Sequence, residues 1–202
     1  MGSSIWVGDA RCVAETRDFC GEGAVWQPEE CAVYWTDINC YLIHRWDQAS
    51  GEVRTWQFEE PATAIVLTAR EDTLLVVLAS RVLLWEPALD RRTELGFVLP
   101  EWPEARCNDA RVDARGVLWI ASMQSNVGVD GASVPVTMNL GRLFSLERNG
   151  RSRTWKRDIG IGNTVAWSPD GAYFYTADSL RNEMYRFDVS RDGSLNGETL
   201  WF

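Results

Sequence analysis

Histidine is almost absent from this sequence: His44 is the single one among 202 residues. That scarcity excludes a His-rich zinc cage and a Ser-His-Asp triad built from this chain, and His44 itself, in an apolar-aromatic run, reads as a packed strand residue. Basic blocks are missing too. The chain has 20 Lys and Arg against 29 Asp and Glu, a net charge of −9, which argues against nucleic acid or an anionic membrane as partner. No apolar run is longer than Leu74 to Ala79, too short to cross a bilayer. Met1-Gly2-Ser3-Ser4-Ile5-Trp6 has neither the basic nor the apolar region of a secretory leader, and Trp6 stands where a myristoylation signal carries Ser or Thr. Five cysteines (Cys12, Cys20, Cys31, Cys40, Cys107) show no CxxC spacing, so free thiols in a reducing cytoplasm are expected. No stretch supports a long amphipathic helix.

What is present is apolar residue in quantity, 46% of the chain, enough for a core without staples. Eleven tryptophans, several at equivalent places in a repeat, point to core packing, with sugar stacking as the lesser alternative. The repeat is carried most clearly by Gly162-Asn163-Thr164-Val165-Ala166-Trp167 and Ser168-Pro169-Asp170-Gly171, followed by Tyr173-Phe174-Tyr175. Pro169 presets φ and Gly171 accepts positive φ, giving strand, hairpin turn, strand. Trp26 and Trp167 stand 141 positions apart, and at that offset Pro28 falls on Pro169, Tyr34 on Tyr175, Asp37 on Asp178, Arg45 on Arg186 and Asp47 on Asp188. Weaker copies occupy residues 67–85 and 112–146. Three steps between the outer copies give 47 residues each, the length of a four-stranded propeller blade.

The sequence therefore predicts an all-β propeller with about four blades, near 21–60, 61–100, 106–160 and 161–202. Residues 1–13 are read as an extension or a closing strand. Residues 124–140 interrupt the third blade as a polar, Gly-containing insertion, either a surface excursion or a lid. Open blade edges would favour self-association.

Four residues before each repeat anchor stand Glu22, Thr63, Asn108 and Asn163. This position opens the first strand of each blade, which lines a propeller channel, so the four side chains converge on one axis. A carboxylate and two amide oxygens there suit a hard cation, calcium, magnesium or manganese, with zinc as a further candidate. The alternative is that they cap turns or bind channel water. Arg106, beside Asn108, can offer its planar fork to hydroxyls or a carboxylate, or form a surface salt bridge with Glu101 or Glu104. Cys107 alternates to the other side of the strand, toward the core. Asp109 is either a residue orienting Asn108 or Arg106, or a turn residue.

Gly21-Glu22-Gly23 with Trp26, Tyr34-Trp35-Thr36-Asp37, Arg106-x-Asn108-Asp109, and Asn163 ahead of Trp167-Ser168-Pro169-Asp170-Gly171 with Asp178-Ser179 resemble the regucalcin/gluconolactonase family of sugar lactonases. The resemblance runs from about residue 14 to the end. It implies a six-bladed propeller that hydrolyses aldonolactones with one divalent metal. Glu22 and Asn163 match metal ligands of that family, and Arg106 and Asn108 match its substrate-orienting pair. The resemblance also implies a base-supplying aspartate in a blade after Phe202, so the chain is expected to be a fragment or a natural truncation with little lactonase activity alone. A non-catalytic calcium-binding or protein-interaction propeller is the alternative. Thr164 and Ala110 stand where the family usually has glycine. Some members also contribute a glutamate from the loop after the residue matching Met123; here Gln124 and Ser125 stand nearby.

Overall fold

The computed structural model describes residues 8–128 and 130–202. Sixteen strands form four antiparallel sheets of four, and no helix occurs among the described residues. The first sheet is β1 (Gly21–Gln27), β2 (Ala32–Asp37), β3 (Leu42–Asp47) and β4 (Val53–Gln57). The second is β5 (Ala62–Leu67), β6 (Leu74–Leu78), β7 (Arg81–Glu86) and β8 (Arg91–Val98). The third is β9 (Ala105–Val112), β10 (Leu118–Gln124), β11 (Gly141–Leu146) and β12 (Ser152–Ile159), and the fourth β13 (Gly162–Trp167), β14 (Tyr173–Asp178), β15 (Glu183–Val189) and β16 (Leu195–Leu200). In every sheet the strands lie in sequence order. The chain is an all-β propeller with four blades, as the repeat predicts.

The cores lie between blades. Tyr34, Ile43 and Phe58 of the first blade pack with Leu74, Leu83 and Trp85 of the second. Val77, Val82 and Phe97 of the second meet Cys107, Ile120 and Phe144 of the third, and Trp119 and Leu143 of the third meet Val165, Phe174 and Phe187 of the fourth. Alternation explains this: successive side chains in a strand face opposite sides, so each sheet serves two interfaces. The innermost strands sit side by side, β1 on β5, β5 on β9 and β9 on β13. Between β1, β5 and β9 they line an open groove of about 490 Å³.

Core packing does not account for every tryptophan. Trp85 and Trp119 are fully buried, but Trp26 is 44% and Trp201 54% exposed. Trp26's repeat partner Trp167 leans edge-on against Trp119 of the preceding blade, at 6.2 Å between ring centroids. Among the described residues no sheet precedes the first, so Trp26 has no such neighbour. Residues 8–18 form no strand, and Val13, Ala14, Thr16 and Asp18 line a groove with Val33, Trp35 and Trp46 of the first sheet. There Asp18 accepts a hydrogen bond from Trp35 Nε1 (2.7 Å) and lies 3.2 Å from His44 Nε2, off the hydrogen-bonding direction. His44 stacks on Trp35 and is buried, a packed strand residue as expected. The cysteines are free thiols, and Cys107 is in the core.

Candidate functional site

Each innermost strand carries a one-residue bulge at the same level. In β1 the pairing passes from Glu22 opposite Thr36 to Val25 opposite Tyr34, and in β13 from Asn163 opposite Ala177 to Ala166 opposite Tyr175. In β5 the unpaired residue is Thr63, and in β9 it is Asn108. A bulge bends the strand and re-aims the side chains beside it. The four positions equivalent in sequence are thus four equivalent irregularities at one end of the channel.

They do not contribute equally. Thr63 is buried, and its hydroxyl donates to the Val77 carbonyl of its own sheet (3.2 Å), so it is not brought to the others. Glu22 is exposed, and among the described residues its carboxylate accepts a hydrogen bond only from the Cys20 thiol, at 3.9 Å. Burial, and then the charge of Glu22, pushes the Cys20 thiol up in pKa. Asn163 is half-buried; its amide nitrogen reaches Ser179 Oγ at 3.4 Å and its oxygen accepts from Thr164 N at 3.3 Å.

Arg106 and Asn108 form one locked unit. Arg106 is 4% and Asn108 6% exposed. Arg106 Nη1 donates to Asn108 Oδ1 (2.7 Å) and to the Cys107 carbonyl (2.9 Å), while Nε donates to Asn126 Oδ1 (2.8 Å). Asn108 in turn donates from Nδ2 to the Gly162 carbonyl (2.9 Å), next to Asn163. Burial pushes the Arg106 pKa down to about 10, against the opposing field of Glu22, so it remains a cation at neutral pH. Nη2 has no hydrogen-bond partner among the described residues and is not sealed from solvent. The surface salt bridge is not what forms, because Glu101 pairs with Arg142 instead.

Asp109 does not orient Asn108 or Arg106 and is not in a turn. Its Oδ2 accepts from Val165 N (3.1 Å), bracing the bulge that carries Asn163, and burial pushes its carboxyl up in pKa. Gly162 fits this join closely, since a Cβ there would lie 2.5 Å from the Ser122 carbonyl oxygen.

Asn126 is the functional candidate that sequence reasoning missed. It belongs to the insertion, which forms a strap from the third blade to the first. Asn39 Nδ2 donates to the Gly131 carbonyl (2.7 Å), and Tyr41 OH to that of Gly128 (3.3 Å). Gln124 Oε1 accepts from Thr137 N and Met138 N, both 2.8 Å, closing the strap's base. The signal was its nearness in sequence to Met123.

Among the described residues no group of three His, Cys, Asp or Glu is placed to hold a metal. The oxygens of Glu22 and Asn163 are of the donor type that suits calcium, magnesium or manganese. A groove of about 800 Å³ lies at the opposite end of the strands, lined by Arg115, Trp155 and Asp192, and holds none of these residues. No helix of the described residues is long and apolar enough to cross a membrane.

Residues 20–202 match the family described as SMP-30/Gluconolactonase/LRE-like region. The chain is 30% identical to 6-deoxy-6-sulfogluconolactonase of Pseudomonas putida over 91% of its length, and 30% identical to L-arabinolactonase of Azospirillum brasilense over 93%. It spans 60% of the length of each of these relatives. In structure it is similar to a regucalcin from Agrobacterium tumefaciens described as a calcium-binding protein. The TM-score is 0.83 at 23% identity, covering 94% of this chain and 61% of that one. With these strands, bulges and matched region together, the chain belongs to the SMP-30/gluconolactonase/LRE-like family.

Proposed function

We propose that the chain supplies the binding half of a site that hydrolyses a sugar lactone with one divalent cation. The relatives named as lactonases support the reaction class. The observation that carries the reading is Arg106, buried and held on two nitrogens while Nη2 stays free. A guanidinium fixed in this way orients a polar ligand with little loss of side-chain freedom.

Glu22 and Asn163 would hold the cation, through a carboxylate and an amide oxygen. When bound, it supplies polarisation of the lactone carbonyl and stabilisation of the developing oxyanion. Arg106 orients the sugar by donating from Nη2 to its oxygens. Asn108, with both ends of its amide engaged, is a positioning residue that acts through Arg106. Asp109 keeps the Asn163 bulge in place from the neighbouring strand.

The test is calorimetric titration of the calcium-loaded chain with gluconolactone. Arg106→Gln is expected to weaken lactone binding by about tenfold or more, the worth of a charge-assisted hydrogen bond. Arg148→Gln, in the distant groove, should leave it unchanged. Equal binding by wild type and Arg106→Gln overturns the reading.

A further inference from the structure

The groove of about 800 Å³ at the far end of the strands is lined by four arginines, Arg115, Arg148, Arg151 and Arg153, and by two acids, Glu147 and Asp192. The chain as a whole carries a net charge of −9, so this gathering of cations is local. Two of the four are answered, Arg115 by Asp113 at 2.8 Å and Arg151 by Glu147 at 2.5 Å. Asp192 is engaged by its own turn, where Oδ1 accepts from Ser194 N (3.0 Å) and Ser194 Oγ (2.7 Å). Arg148 and Arg153 pair with no carboxylate within 4.0 Å among the described residues. Arg153 is held all the same. Its guanidinium lies over the Trp155 ring, 3.7 Å from Cζ to the centroid. Trp155 stacks in turn on Trp119, at 5.4 Å between centroids and 29° between planes, and donates from Nε1 to Ser145 Oγ (2.8 Å). Trp119 Nε1 donates to Asp113 Oδ2 (3.2 Å), the oxygen that also accepts from Arg115 Nη2. One connected stack thus positions two guanidiniums of the groove.

We infer that this groove is a second binding site, for a phosphate-type oxyanion seated on Arg153. The site shares no residue with the lactone site and does not rest on that reading. A guanidinium attracted to a ring face is held by the ring quadrupole without spending its N–H donors, so Arg153 is positioned while its fork stays available. That fork matches two oxygens of a phosphate group. Arg148, from the turn between β11 and β12, adds a second unanswered positive charge to the same groove. The volume is that of a small-molecule site rather than of a bare ion, so the oxyanion has room to carry a small polar body.

The test is calorimetric titration of the 202-residue chain at low ionic strength, without added divalent metal, using glycerol, glycerol 3-phosphate and inorganic phosphate. Glycerol 3-phosphate is expected to bind about tenfold or more tighter than glycerol, and Arg153→Gln to weaken it by about tenfold or more, the worth of a charge-assisted hydrogen bond. Inorganic phosphate binding as tightly as the ester assigns the site to the free ion, and weaker binding assigns it to the ester. Arg153 is exposed, so its replacement is expected to leave the unfolding midpoint in place, which separates lost binding from lost folding. Equal affinity for glycerol and glycerol 3-phosphate, or equal binding of the ester by wild type and Arg153→Gln, overturns the inference. Binding that is lost in Arg106→Gln and kept in Arg153→Gln places the anion in the channel and overturns it as well.

Discussion

At the scale of single residues, the first and fourth blades repeat one device with one substitution. Gly23 follows Glu22 at φ +63°, and Thr164 follows Asn163 at φ +61°. Glycine adopts the left-handed region freely, whereas a β-branched residue there is strained. Thr164→Gly is therefore expected to stabilise the fold by about 1 kcal/mol in urea unfolding, and Gly23→Thr to destabilise it by about as much. Space is not the issue at Gly23, where an added Cβ meets nothing nearer than Thr36 Oγ1 at 3.9 Å. A loss of stability in Thr164→Gly contradicts this account of the bulge. The conserved offset between Asp37 and Asp178 has an equally local cause. Asp37 accepts from Phe19 N, Cys20 N and Cys40 N, and Asp178 accepts from Gly160 N, Ile161 N and Leu180 N, so each carboxylate ties the approach to its blade's innermost strand. Burial raises the Asp37 pKa, but these backbone donors outweigh it and hold the carboxyl below its ordinary value. A depressed folded pKa contributes stability that is present above the unfolded value, about 3.9, and is lost as pH falls through the folded one. Asp37→Asn is expected to cost about 1–3 kcal/mol at pH 7 and to flatten the acid limb of the Tm profile below about pH 4. An unchanged acid limb in that variant argues against the linkage.

At the scale of elements, the repeat was legible because strands, turns and the capping aspartates recur at a constant offset. The bulge level was legible for the same reason, since Glu22 and Asn163 stand immediately before the bulges of their strands and Thr63 and Asn108 are the unpaired residues of theirs. What those side chains touch was not. Thr63 turns to its own sheet, and Asp109 braces the next innermost strand rather than its neighbours in sequence. Neither partner leaves a mark on local patterning. The strap is the clearest case, because its tie between Asn39 and Gly131 joins residues 92 positions apart. Gly131 sits at φ +79°, and a Cβ there would lie 2.6 Å from the Asn39 carbonyl oxygen. Gly131→Ala is expected to lift the strap from the first blade. The measurements are faster protease cleavage within 124–140 and weaker lactone binding through the loosened Asn126–Arg106 bond, with the unfolding midpoint changed by only about 1 kcal/mol equivalent. Unchanged cleavage and binding would mean that the strap does not depend on this tie.

At the scale of the molecule, four blades stack through three interfaces of the same construction, each filled by the alternate faces of its sheets. The faces at either end of the stack have no such partner among the described residues, and they carry Trp26, Leu200 and Trp201 in exposed positions. Apolar residues on unpaired sheets favour association, so light scattering on the 202-residue chain is expected to show a mass that rises with concentration. A constant monomer mass over a hundredfold range (about what such an experiment covers,) would contradict that. Asn163 follows Gly162, whose carbonyl accepts from Asn108, and the field of Glu22 reaches Arg106, so two residues 141 positions apart both lie near the Arg106 unit. The central claim is that these two residues hold a divalent cation beside a fixed guanidinium. Calorimetric titration of the chain with calcium tests it most directly, in wild type and in Glu22→Gln. One site is expected in wild type, weakened about tenfold or more in Glu22→Gln by loss of the only charged ligand, and equal binding by the two proteins, or none by wild type, would contradict it.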